Sequence, residues 1–276
     1  MTGTWLSSLL DHEARVRLCL FLFIFAGMAI WELVLPRRPQ RLGRWRRWPH
    51  NFLISILDAV VVRVVAPAGA VGFAYYASAH HLGVLPRLQV PLWCAIPVAV
   101  LLLDLVIYFQ HRLFHAVPIL WRLHRMHHSD VELDVSSGAR FHPLEILLSL
   151  AIKCIAIALL GASPIAVLLF EILLNATAMF NHSNVRIAGG LEPWLRCILV
   201  TPDLHRVHHS VIPAETDSNF GFNLPWWDRL MGTYRDQPAQ GHCGMTLGLD
   251  IFRESAEARV DKLLTQPFRD PKPSQQ

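Results

Sequence analysis

Three short segments carry most of the chain's capacity for chemistry: "HRLFH" (His111–His115), "HRMHH" (His124–His128) and "HRVHH" (His205–His209). On a helix, positions i, i+3 and i+4 share a face, with Cβ atoms roughly 5–6 Å apart. His111 and His115 stand at i and i+4. His124, His127 and His128 stand at i, i+3 and i+4, and His205, His208 and His209 repeat that spacing. Each segment therefore aims two or three imidazoles at one small volume, and imidazole is the commonest metal ligand. These eight rings are too many for a single ion of ordinary coordination number and suit two, each with a position left for water or oxygen. His142 in "RFHPLE" and His182 in "FNHSNV" are further candidate ligands, each equally open to supporting a ligand or to a structural role. The doublet His80–His81 reads as a polar helix end.

Asp104, Tyr108, His111 and His115 recur at i, i+4, i+7 and i+11, one stripe of a helix. An acid within an apolar helix is costly and marks function by default, so Asp104 and Tyr108 are the candidate catalytic residues. Asp104 is placed to pair with a cation or to orient a ligating imidazole, and equally to form a salt bridge with Arg63 or Lys153. Carboxylates are scarce in the three segments, which leaves zinc and iron both open on the donor set alone. Zinc would polarise water for hydrolysis, whereas iron would activate oxygen. An apolar setting favours the second, because a zinc-bound hydroxide does not attack the C–H bonds of a hydrocarbon. No G-x-S-x-G elbow, phosphate-binding P-loop or G-x-G-x-x-G fingerprint offers a rival catalytic signal.

The elements that position these residues are membrane helices. The chain is 53% hydrophobic and 17% charged over 276 residues, against ~25% charged for a soluble domain. Runs of about 20 apolar residues cross a bilayer as helices. Leu18–Leu35, Phe52–Ala77 and Pro91–Phe109 are three such runs. Leu144–Phe180 is long enough to cross twice, turning at "GASP" (Gly161–Pro164). The expected fold is all-α: a bundle of about four to five spans, including a helical hairpin, with a histidine-rich cap. The arginines of "RRPQRLGRWRR" (Arg37–Arg47) directly follow the first run and read as a cytoplasmic membrane flank rather than a nucleic-acid surface. The amino terminus is then outside, and every histidine cluster falls on the cytoplasmic side. Three regions follow: residues 1–90, a membrane region with its basic loop; 91–240, the histidine domain; and 241–276, a cytoplasmic tail whose end, "RDPKPSQQ", is expected to be disordered. The amino-terminal segment carries acidic residues and no cleavage signature, so its apolar run is expected to remain as an anchor. The five cysteines lack C-x-x-C pairing and fit a reducing compartment.

"DLVIYFQHRLFH" (104–115), "LWRLHRMHHSD" (120–130), "RFHPLE" (140–145), "FNHSNV" (180–185), "TPDLHRVHHS" (201–210) and "NFGFNLPWWDRLMGTY" (219–234) resemble, in order, the motifs of the fatty acid hydroxylase/sterol desaturase superfamily. The resemblance implies a non-haem di-iron membrane oxygenase that uses O2 and external electrons to hydroxylate or desaturate a lipid or sterol. It implies the ligands His111, His115, His124, His127, His128, His205, His208 and His209, with His182 as a ninth and His142 as a matched position of less definite role. Trp227, Asp228 and Tyr234 match a motif taken as structural. No His-Pro-Gly-Gly haem segment and no flavin or ferredoxin motif occurs, so a separate haem protein, ferredoxin or diffusible reductant is expected to deliver electrons. The competing readings are a membrane dizinc lipid hydrolase, with zinc in place of iron, and a non-catalytic metal transporter or sensor.

Overall fold

Proline and chain direction set the helix boundaries. The computed structural model describes residues 8–270, in which the apolar runs are helical and no strand forms among the described residues. Helix α1 (Glu13–Val34) ends just before Pro36. Helix α2 (Arg44–Val65) stops at Ala66, whose extended backbone is what a residue before a proline adopts. Helix α3 (Gly69–Ala79) continues toward the end of the bundle remote from the histidines. Helix α4 (Leu92–Ala116) returns from there; at 25 residues it is about 37 Å long, against a hydrocarbon core of about 30 Å. Its last turns carry His111 and His115.

Val117 is extended and Pro118 opens helix α5 (Pro118–His128), so the chain turns a corner between the first two histidine segments. Helix α6 (Pro143–Leu160) and helix α7 (Pro164–His182) form the hairpin, and helix α8 (Pro202–His208) carries the third segment. Each of α5 to α8 has proline in its first turn, where the missing N–H has no intrahelical partner to lose. Ser163 and Thr201 cap α7 and α8 by accepting from the backbone N–H groups of Ala166 and Leu204. α1, α4, α6, α7 and the α2–α3 segment, five in all, are long and apolar enough to span a membrane. The protein is a multi-pass membrane helical bundle.

Alanines at 70, 74, 77, 99, 156 and 166 let α3, α4, α6 and α7 approach closely around the bundle core. Phe23, Leu33, Val64, Trp93 and Leu159 point outward, as lipid-facing side chains do. At the remote end, Gly83 (φ +91°) packs on Gly161 (φ +70°), and a Cβ on Gly83 would land on the Gly161 backbone. His80 lies at this end, exposed, its ring over Tyr76. All five cysteines are free.

The basic run is also built into the cap. Arg47 is fully buried and bonds Asp130 at 3.0 and 3.1 Å and Asp134 at 2.9 Å. Arg37 pairs with Asp203 at 3.0 Å and Arg44 with Glu32 at 2.8 Å. A loop of arginines beside an apolar run has found carboxylates in the cap, because a buried guanidinium needs such partners. The segment after residue 240 is likewise no free tail as far as residue 270. Leu263 packs against Ile54 and Met126, Gln266 accepts from Ser129, and Arg269 pairs with Glu257. Residues 271–276 of the expected disordered end lie outside the described residues, as do residues 1–7.

Candidate metal centre

Nine imidazoles converge in two adjoining groups at the end of the bundle that carries the arginine run. His111, His115, His124, His128 and His208 form one, and His127, His182, His205 and His209 form the other; within each, one nitrogen per ring lies within 4.8 Å of the rest. The two sets interleave. Each i, i+4 pair (111/115, 124/128, 205/209) serves a single group, while the middle histidines of the last two segments, His127 and His208, cross to the other. His128 and His209, one from each group, have ring centroids 4.4 Å apart.

Hydrogen bonds at the far side of the rings fix which nitrogen is free. The Nδ1–H of His111 donates to the carbonyl of Phe220 at 2.9 Å, His127 to Arg140 at 3.1 Å, His182 to Ala178 at 2.7 Å and His208 to Ser218 at 2.8 Å. His124 donates to Glu145 at 2.6 Å and His115 to Asp217 at 3.2 Å. Since these oxygens accept, Nδ1 holds the proton and Nε2 keeps its lone pair. Burial first, and neighbouring imidazoles second, hold His127, His128, His205 and His209 well below the ordinary imidazole range; His208 is held there in the same way. These five rings are neutral donors.

A cation fits these donors. The Nε2 atoms of His111, His124 and His208 are buried without a hydrogen-bond partner, an arrangement costly for a polar group. The Nε2 atoms of His127 and His182 face each other at 3.0 Å, those of His182 and His205 at 3.1 Å, and those of His115 and His128 at 3.2 Å. With both Nδ1 protons committed to carbonyls, His127 and His182 oppose two lone pairs, and a proton between them would be the buried cation that His127 resists. A metal ion relieves both the orphaned and the opposed lone pairs. The all-imidazole set suits a first-row transition metal.

Three predicted residues lie elsewhere. His142 caps α6: its Nδ1 accepts from the N–H of Leu144 at 3.2 Å and its Nε2 reaches the carbonyl of Leu264 at 3.3 Å. Both nitrogens are engaged, and the residue stands outside both groups. Asp104 reaches no imidazole and pairs with neither Arg63 nor Lys153. It accepts from the indole of Trp227 at 2.8 Å and from the backbone of Asn223 at 3.3 Å. Tyr108 bonds Thr233 at 2.9 Å and packs on Phe220 and Trp227. The stripe is one helix face, as the spacing implied, and its first two members bond the cap while its last two join the histidine groups. Asp228 accepts at 2.7 Å from Phe220, Gly221 and Thr233, and burial pushes its carboxyl up to about 6.

Sequence reasoning missed Glu145, Asp217 and Phe141. Glu145 and Asp217 orient the rings of His124 and His115, and Phe141 stacks on His127 with centroids 4.4 Å apart. Glu145 carried a signal, being an acid in the first turn of an apolar span. Asp217 and Phe141 carried none beyond nearness to a histidine.

A cavity of about 350 Å³ lies in the bundle beside these rings, separated from them by Phe141, Phe222 and Glu145, which touch His127, His182 and His124, and lined farther along by Asp58, Lys153 and Glu171. That volume is within the range of small-molecule sites.

The fatty acid hydroxylase family model matches residues 96–233, the stretch that holds all nine histidines. An ornithine lipid hydroxylase of Rhizobium tropici is 34% identical over 245 residues, covering 86% of this chain and 72% of that protein. The human alkylglycerol monooxygenase is 32% identical over 154 residues, covering 54% of this chain but 32% of that protein. A cholesterol 25-hydroxylase of Rattus norvegicus is 26% identical over 144 residues, covering 51% and 47%. No solved structure matches the chain. With its histidine segments inside the family model and one relative matched along most of both chains, this protein belongs to the fatty acid hydroxylase family of membrane oxidoreductases acting on lipids.

Proposed function

We propose that the nine histidines hold two iron ions and that the chain hydroxylates a C–H bond of a lipid in the adjoining cavity, consuming O2 and two externally supplied electrons. Overall, R–H, O2, two electrons and two protons give R–OH and water. The observation that carries this reading is two buried imidazole clusters beside a bundle cavity, with Phe141, Phe222 and Glu145 shared between the rings and the cavity wall. Iron, when bound, would supply the activation of O2.

The chain's own residues do the positioning. Phe220, Arg140, Ala178 and Ser218 orient four ligating rings through their carbonyls, and Glu145 and Asp217 orient two more through carboxylates. Phe141 and Phe222 form the cavity wall next to the histidines, so a hydrocarbon is held there by shape, with water excluded. The names of the three relatives share hydroxylation or mono-oxygenation while differing in lipid, which supports hydroxylation over desaturation. The arginine run shares the histidine end, and the bias of basic residues toward the cytoplasm supports a cytoplasmic site with the amino terminus outside. A separate electron carrier then docks on the cap.

The test is metal analysis of the purified protein combined with anaerobic and aerobic assays on lipid extracts. The expected result is iron in both groups and a product heavier by one oxygen atom, formed only with O2 and a reductant. Turnover without O2 would establish the dizinc hydrolase instead. Metal flux across vesicles without lipid oxidation would establish a transporter, although the histidine groups sit under the cap rather than in mid-membrane.

A further inference from the structure

The cavity has a polarity of its own that the histidines do not explain. Its lining includes three carboxylates (Asp58, Glu145, Glu171) and two cationic side chains (Arg17, Lys153). Both cations are engaged by Glu171, Lys153 at 2.7 Å and Arg17 at 2.9 Å. The amide donors are engaged as well: Gln110 donates to Ser149 at 3.1 Å and Asn175 to the Glu171 carbonyl at 2.9 Å. The acceptors are not. Asp58 Oδ1, Gln110 Oε1 and Glu145 Oε2 are buried with no hydrogen-bond partner, and Asp58, 7% exposed, makes no hydrogen bond or ion pair among the described residues. Glu171 Oε2, the remaining lining atom without a hydrogen bond, faces the Arg17 guanidinium.

The lining's fully buried atoms without any partner are thus all acceptors, and Asp58 lacks a counter-charge, an arrangement complementary to a cationic donor. An ammonium group supplies both: one positive charge and up to three N–H donors. A hydroxyl supplies one donor and no charge, and an anionic head would meet Asp58 and Glu145 as like charges. Burying a carboxylate without a partner is costly, so a ligand that neutralises Asp58 gains what the free protein lacks. Along α2, Asp58 lies eleven residues beyond Arg47, roughly 16 Å deeper into the bundle at about 1.5 Å per residue.

We infer that the substrate is a lipid bearing a primary ammonium group, with Asp58 facing the cation and Gln110 and Glu145 completing its acceptors toward the histidine end. The inference rests on the lipid-oxidation reading for its consequence but not for its binding test. Asp58 is a specificity residue; it touches no ligating ring, and Asp58→Asn removes an uncompensated charge, so insertion and metal content are expected to persist.

The experiment uses the full chain in neutral-lipid nanodiscs, with hexadecylamine and hexadecanol as probes and retention read by native mass spectrometry. The wild type is expected to retain the amine at about a tenfold lower concentration than the alcohol, Asp58→Asn to bring the two within about twofold, and Asp58→Glu to keep the preference. Equal retention by the wild type, or a preference unchanged in Asp58→Asn, overturns the inference. Turnover separates the two readings. O2-dependent oxidation of an amine-headed lipid and its N-acetyl derivative at equal rates leaves the oxygenase standing and removes the ammonium site. Amine-selective retention without O2-dependent product from either lipid does the reverse.

Discussion

Trp227 donates its indole N–H to Asp104 at 2.8 Å, joining the cap to the middle of a membrane-spanning helix. One turn further along α4, Tyr108 bonds Thr233 at 2.9 Å, and the two turns after that carry His111 and His115. A single helix face thus anchors the cap and then presents ligands to the site beneath it. Trp227→Phe keeps the ring but removes the donor, leaving the buried Asp104 carboxylate with the Asn223 N–H alone. The expected cost is about 1–3 kcal/mol, seen as faster proteolysis of the cap and faster metal loss to a chelator, with membrane insertion unchanged. Cap proteolysis at the wild-type rate would show that the bond does no anchoring.

The interleaving of the two groups makes single-ligand variants separable. His208 belongs to one group and His127 to the other. His127→Ala and His208→Ala are each expected to lose most of the metal of their own group and all lipid oxidation, while the protein still inserts. His142→Ala is expected to keep its metal, because that ring's nitrogens serve Leu144 and Leu264. Its cost is that of a lost cap, about 0.5–2 kcal/mol, read as a lower unfolding temperature. Metal analysis of the three variants checks the assignment, and wild-type metal content in either of the first two contradicts it.

Glu145 touches His124, with Oε1 accepting from Nδ1 at 2.6 Å. Removing such an outer partner of a ligating histidine typically weakens metal affinity about 10–100-fold. Glu145→Ala is expected to fall in that range, and Glu145→Gln, which keeps an acceptor oxygen but not the charge, to lose less. Competition with a chelator measures both. Equal loss in the two variants would mean that charge rather than ring orientation is what Glu145 contributes.

What the sequence disclosed divides along physical lines. The spans were legible because a run of about 20 apolar residues has few folds open to it in a bilayer. The corner between α4 and α5 follows from Val117–Pro118, since the residue before proline leaves the helical region. Spacing also placed the three histidine segments as local ligand sets. It did not disclose that His127 and His208 cross between groups, because that depends on how α4, α5 and α8 are docked. His142 stayed ambiguous because an imidazole before a helix-opening proline suits an N-cap as well as a metal. The burial of Arg47 was not legible because its partners, Asp130 and Asp134, lie 83 and 87 residues away, so nothing local distinguishes it from its exposed neighbour Arg46.

Arg46 and Arg47 share that basic run and are expected to respond in opposite ways. Arg47 is fully buried, with bonds to Asp130, Asp134 and Ser137, whereas Arg46 is exposed. Truncating one member of a buried ion pair strands its partners, typically at about 3–5 kcal/mol, so Arg47→Ala is expected to destabilise the cap by that order. Arg47→Lys should recover little, because a lysine ammonium cannot reproduce the paired Nε and Nη contacts to Asp130. Arg46→Ala, like most exposed substitutions, should stay within about 0.5 kcal/mol. Thermal unfolding in detergent, with metal retention measured in parallel, distinguishes the three. If Arg46→Ala and Arg47→Ala proved equally mild, the buried network around Asp130 would not be what holds the cap beside the histidines.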